Sequence, residues 1–241
     1  MSAVRIGVVF PATFNLNADA ANATVVARRL TLSGIETEVV PYDIDAMAHG
    51  KTPDALIIGS PSSTGLDSAD ARSPIARDFI VSAHASGVPI LAVSNGFHWL
   101  GTMTGKDGTD FGGLGVIPVH TRFGTTQHVT IGAQVDSPHG ELIGVENHNA
   151  TCELRDASNA FGRVVHGVGN AHGGIDGYVD DAVWATHLHG PVFALNPALA
   201  DAFASKILER QGETFTRGNA LDDIDRLAAS TADHLIRKRS A

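Results

Sequence analysis

Cysteine is almost missing, with Cys152 the only one in 241 residues. A single thiol excludes an intrachain disulfide and any Cys-x-x-Cys metal site. Basic charge is also scarce. Seventeen Lys and Arg stand against 26 Asp and Glu, a formal net charge of −9, whereas neutralising nucleic-acid phosphates takes clustered cations. The one basic cluster, Arg237-Lys238-Arg239, reads as the solvated end of a helix. Long apolar runs are absent as well, since none approaches the ~20 residues of a membrane helix. The first run, Val4 to Phe10, is too short for a signal peptide and gives way to polar residues. A soluble, cytoplasmic protein without nucleic-acid or membrane partners is expected. There is no repeat, low-complexity tract or linker, so one domain over 1–241 is the simplest reading.

What is present is a rhythm of strands and helices. "VRIGVVF" (4–10), "IETEVVPY" (35–42), "DALIIGS" (54–60) and "VPILAVS" (88–94) are strand-like runs rich in β-branched residues. Between them, residues 18–33 and 69–86 read as helices, the first ended by Gly34. Alternation of this kind implies right-handed crossovers, hence an α/β fold with an open, mainly parallel sheet and helices on both faces. After residue 110 the texture changes to short runs broken by Gly, Asn and Asp, which predict antiparallel hairpins added to that sheet. A strand near 182–190, a helix over 198–212 and an amphipathic helix over about 220–238 complete the chain.

Open α/β sheets bind ligands beyond the carboxyl ends of their strands. Two such ends are Gly59-Ser60-Pro61-Ser62-Ser63 and Ser94-Asn95-Gly96. The second, inside "PILAVSNGFHWLG", reads as a strand turning sharply into a helix, the geometry that presents a nucleophile. His187 and His189 in "HLHG" stand two apart, so a continuing strand points both to one face. Either is a possible base for Ser94, or the pair is half a metal site. No Asp, Glu or Cys lies at ligand spacing from them, so no metal is expected. Asn15, Asp19 and Asn22 either line a pocket or cap the first helix. Glu146-Asn147-His148 are site residues or a hairpin turn, and Cys152 reads as an inert, half-buried residue. The twelve histidines are scattered, and most are expected at the surface.

Several stretches together resemble one family, the class I glutamine amidotransferases of the cobyric-acid-synthase type. They are "FNLNADAANATVVARRLTLSGIETEVV", "DALIIGS", "PILAVSNGFHWLG", "FGGLGVI", "GVENH", "HGVGN" and "ATHLHGPVFALNPALAD", in that order and over nearly the whole chain. Within the family the resemblance is closest to the GatD type, glutaminase subunits that pair with a Mur-ligase-like (MurT-type) subunit to amidate the peptidoglycan precursor lipid II. In such enzymes a cysteine thiolate attacks the glutamine side-chain amide, a histidine protonates the departing ammonia, and backbone N–H groups hold the oxyanion. By motif position the nucleophile falls on Ser94 and the histidine on His189. The oxyanion hole falls on Ser60 and Asn95, and glutamine binding on Gly59, Ser62 and His128. No cofactor is implied. Pro191 stands where many relatives carry a carboxylate, so the third triad member is expected as a loan from the partner.

Three positions depart from the family. Ser94 replaces the cysteine, and a serine hydroxyl stays protonated where a thiol of pKa ~8.5 ionises beside a histidine. Pro61, which has no N–H, interrupts the glycine-rich loop. His128 stands where the GatD type has arginine, and it lacks the bidentate fork. Three readings follow: an amidotransferase subunit of impaired activity, a non-catalytic scaffold or regulator on the same fold, or a serine hydrolase using Ser94 and His189. Against the last, "AVSNG" lacks the first glycine of the hydrolase elbow, and no carboxylate is evident to orient His189.

Overall fold

The computed structural model describes residues 3–239. Strands β1 (Val4–Val9), β2 (Thr37–Tyr42), β3 (Ala55–Ile58) and β4 (Ile90–Val93) fall inside the four expected runs. Helices α1 (Ala21–Leu32), α2 (Ile44–His49), α3 (Ser63–Leu66), α4 (Pro74–Ala85) and α5 (Asn95–Leu100) are interleaved with them or follow β4. α2 was not expected from the periodicity; it is a short turn of helix started by Asp43, whose carboxylate accepts from Ala46 N. α4 begins later than the expected 69, because Ser73 caps it and Pro74 is its first residue.

Then come β5 (Thr102–Thr104), β6 (Asp110–Gly112), β7 (Val119–Ser137), β8 (Gly140–Leu154), β9 (Gly162–His166), β10 (Ile175–Asp176), β11 (Tyr178–Val179) and β12 (Val183–Thr186). Helices α6 (Val192–Leu195), α7 (Pro197–Glu209) and α8 (Asp222–Lys238) close the described chain. The first sheet runs β11-β12-β4-β3-β1-β2 and is parallel except for β11. Its central strands are buried on both faces, which is why they read as unbroken apolar runs. Successive side chains feed two cores. Leu56, Ile58, Ile90 and Ala92 pack with α4 and α5, while Ala55, Ile57, Leu91 and Val93 pack with α1 and α7.

Of the strands after residue 110, β11 adds antiparallel to this sheet, as expected, but the longer antiparallel runs do not. They build a second one, β10-β9-β7-β5-β6, with β8 paired to β7. The two expected runs at 113–124 and 127–135 are largely one strand, β7, 19 residues long, joined to β8 with irregular register near Phe123–His128 and Ile131–Ala133. The sheets meet at one antiparallel bridge between Val145 of β8 and His189, with N···O distances of 2.9 and 3.1 Å. That bridge lies just past β12, at the carboxyl edge of the first sheet.

Candidate active site at the carboxyl edge of the first sheet

Ser94 follows β4 and precedes α5 with φ 50° and ψ −116°. A positive φ is rare outside glycine and marks a sharp turn held in place by its surroundings. The neighbours hold it in two ways. Ser94 N donates to Thr186 O of the adjacent β12 at 2.9 Å, and Ser94 O accepts from His98 N at 3.0 Å. Glycine is required at 96, since a Cβ there would lie 2.3 Å from Gly59 O and 2.8 Å from Ile58 O. The expected elbow is therefore present. Its hydroxyl is buried and has no hydrogen-bond partner.

His189 leaves the end of β12, beside β4, and is also buried. Its Nδ1 lies 3.0 Å from both Asp19 carboxylate oxygens, so Nδ1 carries the proton. Nε2 then presents a lone pair, which faces Asn17 Nδ2 at 3.3 Å. This corrects the expectation that the chain holds no evident carboxylate to orient His189. The loop between β1 and α1 supplies it from within the chain. Asp19 is a buried partner of His189 and not a helix cap, for α1 starts behind Ala20 with no side-chain cap. Asn22 Oδ1 accepts from Phe193 N at 2.9 Å, and Asn15 Oδ1 accepts from Ala20 N at 3.0 Å.

The expected oxyanion and substrate residues fare unequally. Ser60 N donates to Asp19 Oδ2 at 3.2 Å, which commits the donor assigned to the oxyanion hole. Asn95 N opens the first turn of α5, where N–H groups have no intrahelical acceptor, so it stays available in position. Gly59 is a packing glycine: a Cβ would meet Phe14 O at 2.2 Å. Ser62 caps α3, with Oγ accepting from Gly65 N at 3.1 Å, which leaves its hydroxyl hydrogen free to donate. His128 lies opposite His148 in the β7–β8 ladder, ring centroids 5.5 Å apart.

A model of the CobB/CobQ-like glutamine amidotransferase domain matches residues 5–197 of this sequence. The chain belongs to this family. Among curated relatives, the GatD subunit of the glutamine-hydrolysing lipid II isoglutaminyl synthase of Staphylococcus aureus is 26% identical over 204 residues, covering 83% of each chain. A probable cobyric acid synthase of Methanoregula boonei is 28% identical over 200 residues, 76% of this chain but 38% of its own length. Another, from Methanosphaerula palustris, is 26% identical and is spanned over 39% of its length. A solved glutamine amidotransferase shares the fold with a TM-score of 0.55 at 19% identity, over 86% of this chain and 99% of that one. Among the described residues, no helix is long and apolar enough to cross a membrane.

Behind the elbow this amidotransferase-family chain holds a histidine core that the sequence reading missed. His187 and His189 take different partners, because β12 ends at Thr186 and the strand pleat stops there. His187 Nδ1 lies 2.8 Å from Asp176 Oδ1, and its Nε2 lies 3.0 Å from His98 Nε2 and 3.8 Å from Cys152 Sγ. Cys152 is not half-buried but 2% exposed. Glu146 and His148 are no hairpin turn; both sit within β8, where Glu146 accepts from Val168 N and Gly169 N. Burial, then the neighbouring His187 and His148, holds His98 well below the usual histidine range. Burial, then His187 and His128, pushes His148 down to about 2. Burial would lower His187 too, yet its hydrogen bond to Asp176 and the adjacent Cys152 outweigh that and raise it to about 10. The one signal available was a histidine beside apolar residues at His98 and His187, whereas His148 lies in the polar stretch Glu146-Asn147-His148-Asn149 and gave none.

Proposed function

We propose that this chain is a GatD-like amidotransferase subunit that pairs with a Mur-ligase-like partner in lipid II amidation, and that Ser94 leaves its own glutamine hydrolysis weak or lost. In this reading glutamine enters with its side-chain carbonyl against Asn95 N and its amide carbon over Ser94. His189, oriented by Asp19, takes the proton from the nucleophile and returns it to departing ammonia. A thiol ionises toward such a base readily, whereas a hydroxyl does not. The observation that carries the reading is Ser94 Oγ, buried at the elbow with no hydrogen bond to His189 or any other group. Ser60 N is held by Asp19 and Pro61 has no N–H, which supports a weakened oxyanion hole.

Ammonia release and covalent labelling by a glutamine-mimicking electrophile test this together, with the Mur-ligase-like partner present and absent. The unmutated chain is expected to release no ammonia above background and to remain unlabelled at Ser94. Ser94→Cys is expected to be labelled yet to turn over slowly. One lost oxyanion donor alone costs about 10²–10³ in rate, and His128 offers no guanidinium fork. Ammonia release by Ser94→Cys at about 1 s⁻¹ or faster would show an intact pocket and overturn the reading.

One observation favours a second reading. The Asp19 contact supplies the carboxylate that a serine hydrolase needs behind His189. An organophosphonate that modifies Ser94 while the glutamine mimic does not would select that chemistry. Labelling by neither would leave the scaffold role.

A further inference from the structure

Outside the Ser94–His189 pair, three buried donors converge from separate elements: His98 from α5, Cys152 from β8 and His187 from the end of β12. Their donor atoms all lie within 4.8 Å of one another. The far side of each ring fixes its tautomer. Asn95 Nδ2 donates to the Pro61 carbonyl at 2.8 Å, so its amide oxygen faces His98 Nδ1 at 3.1 Å, and that nitrogen carries a proton. Asp176 at 2.8 Å requires the same of His187 Nδ1. Two neutral rings so arranged aim lone pairs at each other across the 3.0 Å between their Nε2 atoms. Such a contact needs a cation, either a proton shared by the pair or a metal ion.

A further group favours the metal. Cys152 Sγ sits 3.8 Å from the same His187 nitrogen, with Thr121 Oγ1 at 3.4 Å as its other polar neighbour. A shared proton uses only the two rings, whereas a metal ion also uses the thiol. Tetrahedral zinc, with Zn–N ~2.0–2.1 Å and Zn–S ~2.3 Å, sets ligand atoms roughly 3.3 Å (N to N) and 3.6 Å (N to S) apart. The spacings of 3.0 and 3.8 Å bracket those values. Imidazole and thiolate together suit zinc rather than the hard, oxygen-seeking cations. Asp176 behind one ring and Asn95 behind the other are the outer acceptors that ligating histidines carry.

We propose that His98, Cys152 and His187 form a zinc site, with a water molecule completing the tetrahedron. Binding expels the proton shared by the two rings and the proton of the thiol. The ion ties α5, which begins directly after Ser94, to β8 and to the segment leading to His189. Both ends of the candidate active site are thereby fixed from behind. The proposal does not depend on whether glutamine is hydrolysed.

The test is metal analysis of the full chain, made without a histidine tag and reconstituted with zinc alone. About one zinc per chain is expected. Replacement by cobalt is expected to give a thiolate-to-cobalt charge-transfer absorption that Cys152→Ser lacks. His98→Gln is expected to lose most of the metal, and the exposed His166→Gln to keep it. A chelator is expected to lower the melting temperature of the unmutated chain and leave Cys152→Ser unchanged. The unmutated chain is decisive, for its readout needs no variant to fold. A folded chain that retains below about 0.1 zinc per molecule, or a cobalt form without the thiolate band, overturns the site and leaves the shared proton as the cation.

Discussion

At the scale of single residues, Ser94 and Asp19 carry opposite kinds of polar burial. The Ser94 hydroxyl is buried with nothing to bond, and such a group costs more than it contributes. Asp19 is equally buried but accepts from the His189 ring and from Ser60 N. Removing Ser94 Oγ therefore relieves an unsatisfied group, while removing the Asp19 carboxylate creates two. Ser94→Ala is expected to leave stability unchanged or raise it by about 1 kcal/mol. Asp19→Ala is expected to cost about 1–3 kcal/mol through the donors it strands. Urea denaturation of the two variants beside the unmutated chain measures both, and equal destabilisation would contradict the assignment. Polar groups kept at a loss in stability tend to be those of a site, which supports the proposal that Ser94 occupies the nucleophile's place.

Among the elements, α8 is tied down by two arginines, the buried Arg29 and the partly exposed Arg217, which pairs with Asp222 and Asp225 at 2.7 and 2.6 Å. Arg29 of α1 is 3% exposed in its side chain and pairs through Nε with Asp201 of α7 and through Nη1 with Asp225 of α8, each at 2.7 Å. The two aspartates keep 22% exposure and both also face Arg217, so water and that second guanidinium partly compensate them when Arg29 goes. Arg29→Ala is accordingly expected to cost about 2–3 kcal/mol, at the low side of the range for a broken buried pair. α8 contributes little apolar burial of its own: Ala228 is buried, whereas Leu227 is 69% and Ile224 41% exposed. The variant is thus expected to expose residues 222–238 to hydrogen exchange ahead of the central sheet. Uniform exchange across the chain would show that Arg29 serves the whole core instead.

For the whole molecule, two histidines of one core impose opposite pH dependences. His148, held near 2 when folded, takes up a proton on unfolding at any pH between about 2 and its ordinary 6.5. Its contribution is complete above 6.5 and is lost as the pH falls through that window. His187 is raised to about 10, so unfolding releases its proton between 6.5 and about 10. Its contribution is complete below 6.5 and is lost as the pH rises. Stability of the zinc-free chain is therefore expected to peak near pH 6.5, with limbs of up to about 1.4 kcal/mol per pH unit for each group. Chemical denaturation from pH 5 to 9 reads this out, and His148→Gln is expected to make the acid limb shallower without abolishing it, since His98 is held low as well. An acid limb of unchanged slope after that substitution would assign it to His98 alone.

The sequence by itself determined the parallel strands of the first sheet, the sharp turn at Ser94 and the family, because each is written locally. A strand buried on both faces must be apolar along its length, a tight turn needs its glycine within two residues, and motif order follows the chain. It also marked Asp19 as a pocket candidate, since the loop after β1 opens at the ligand-binding edge of a parallel sheet. Only the tertiary structure decided which groups meet. Asp19 reaches His189 across 170 residues, His98 reaches His187 across 89, and Cys152 reaches His187 across 35. It also decided that the longer antiparallel runs form a sheet of their own, bridged to the first at Val145 and His189. No periodicity encodes such meetings, because side-chain contact depends on strand order, on where the pleat stops, and on the path of each loop through space.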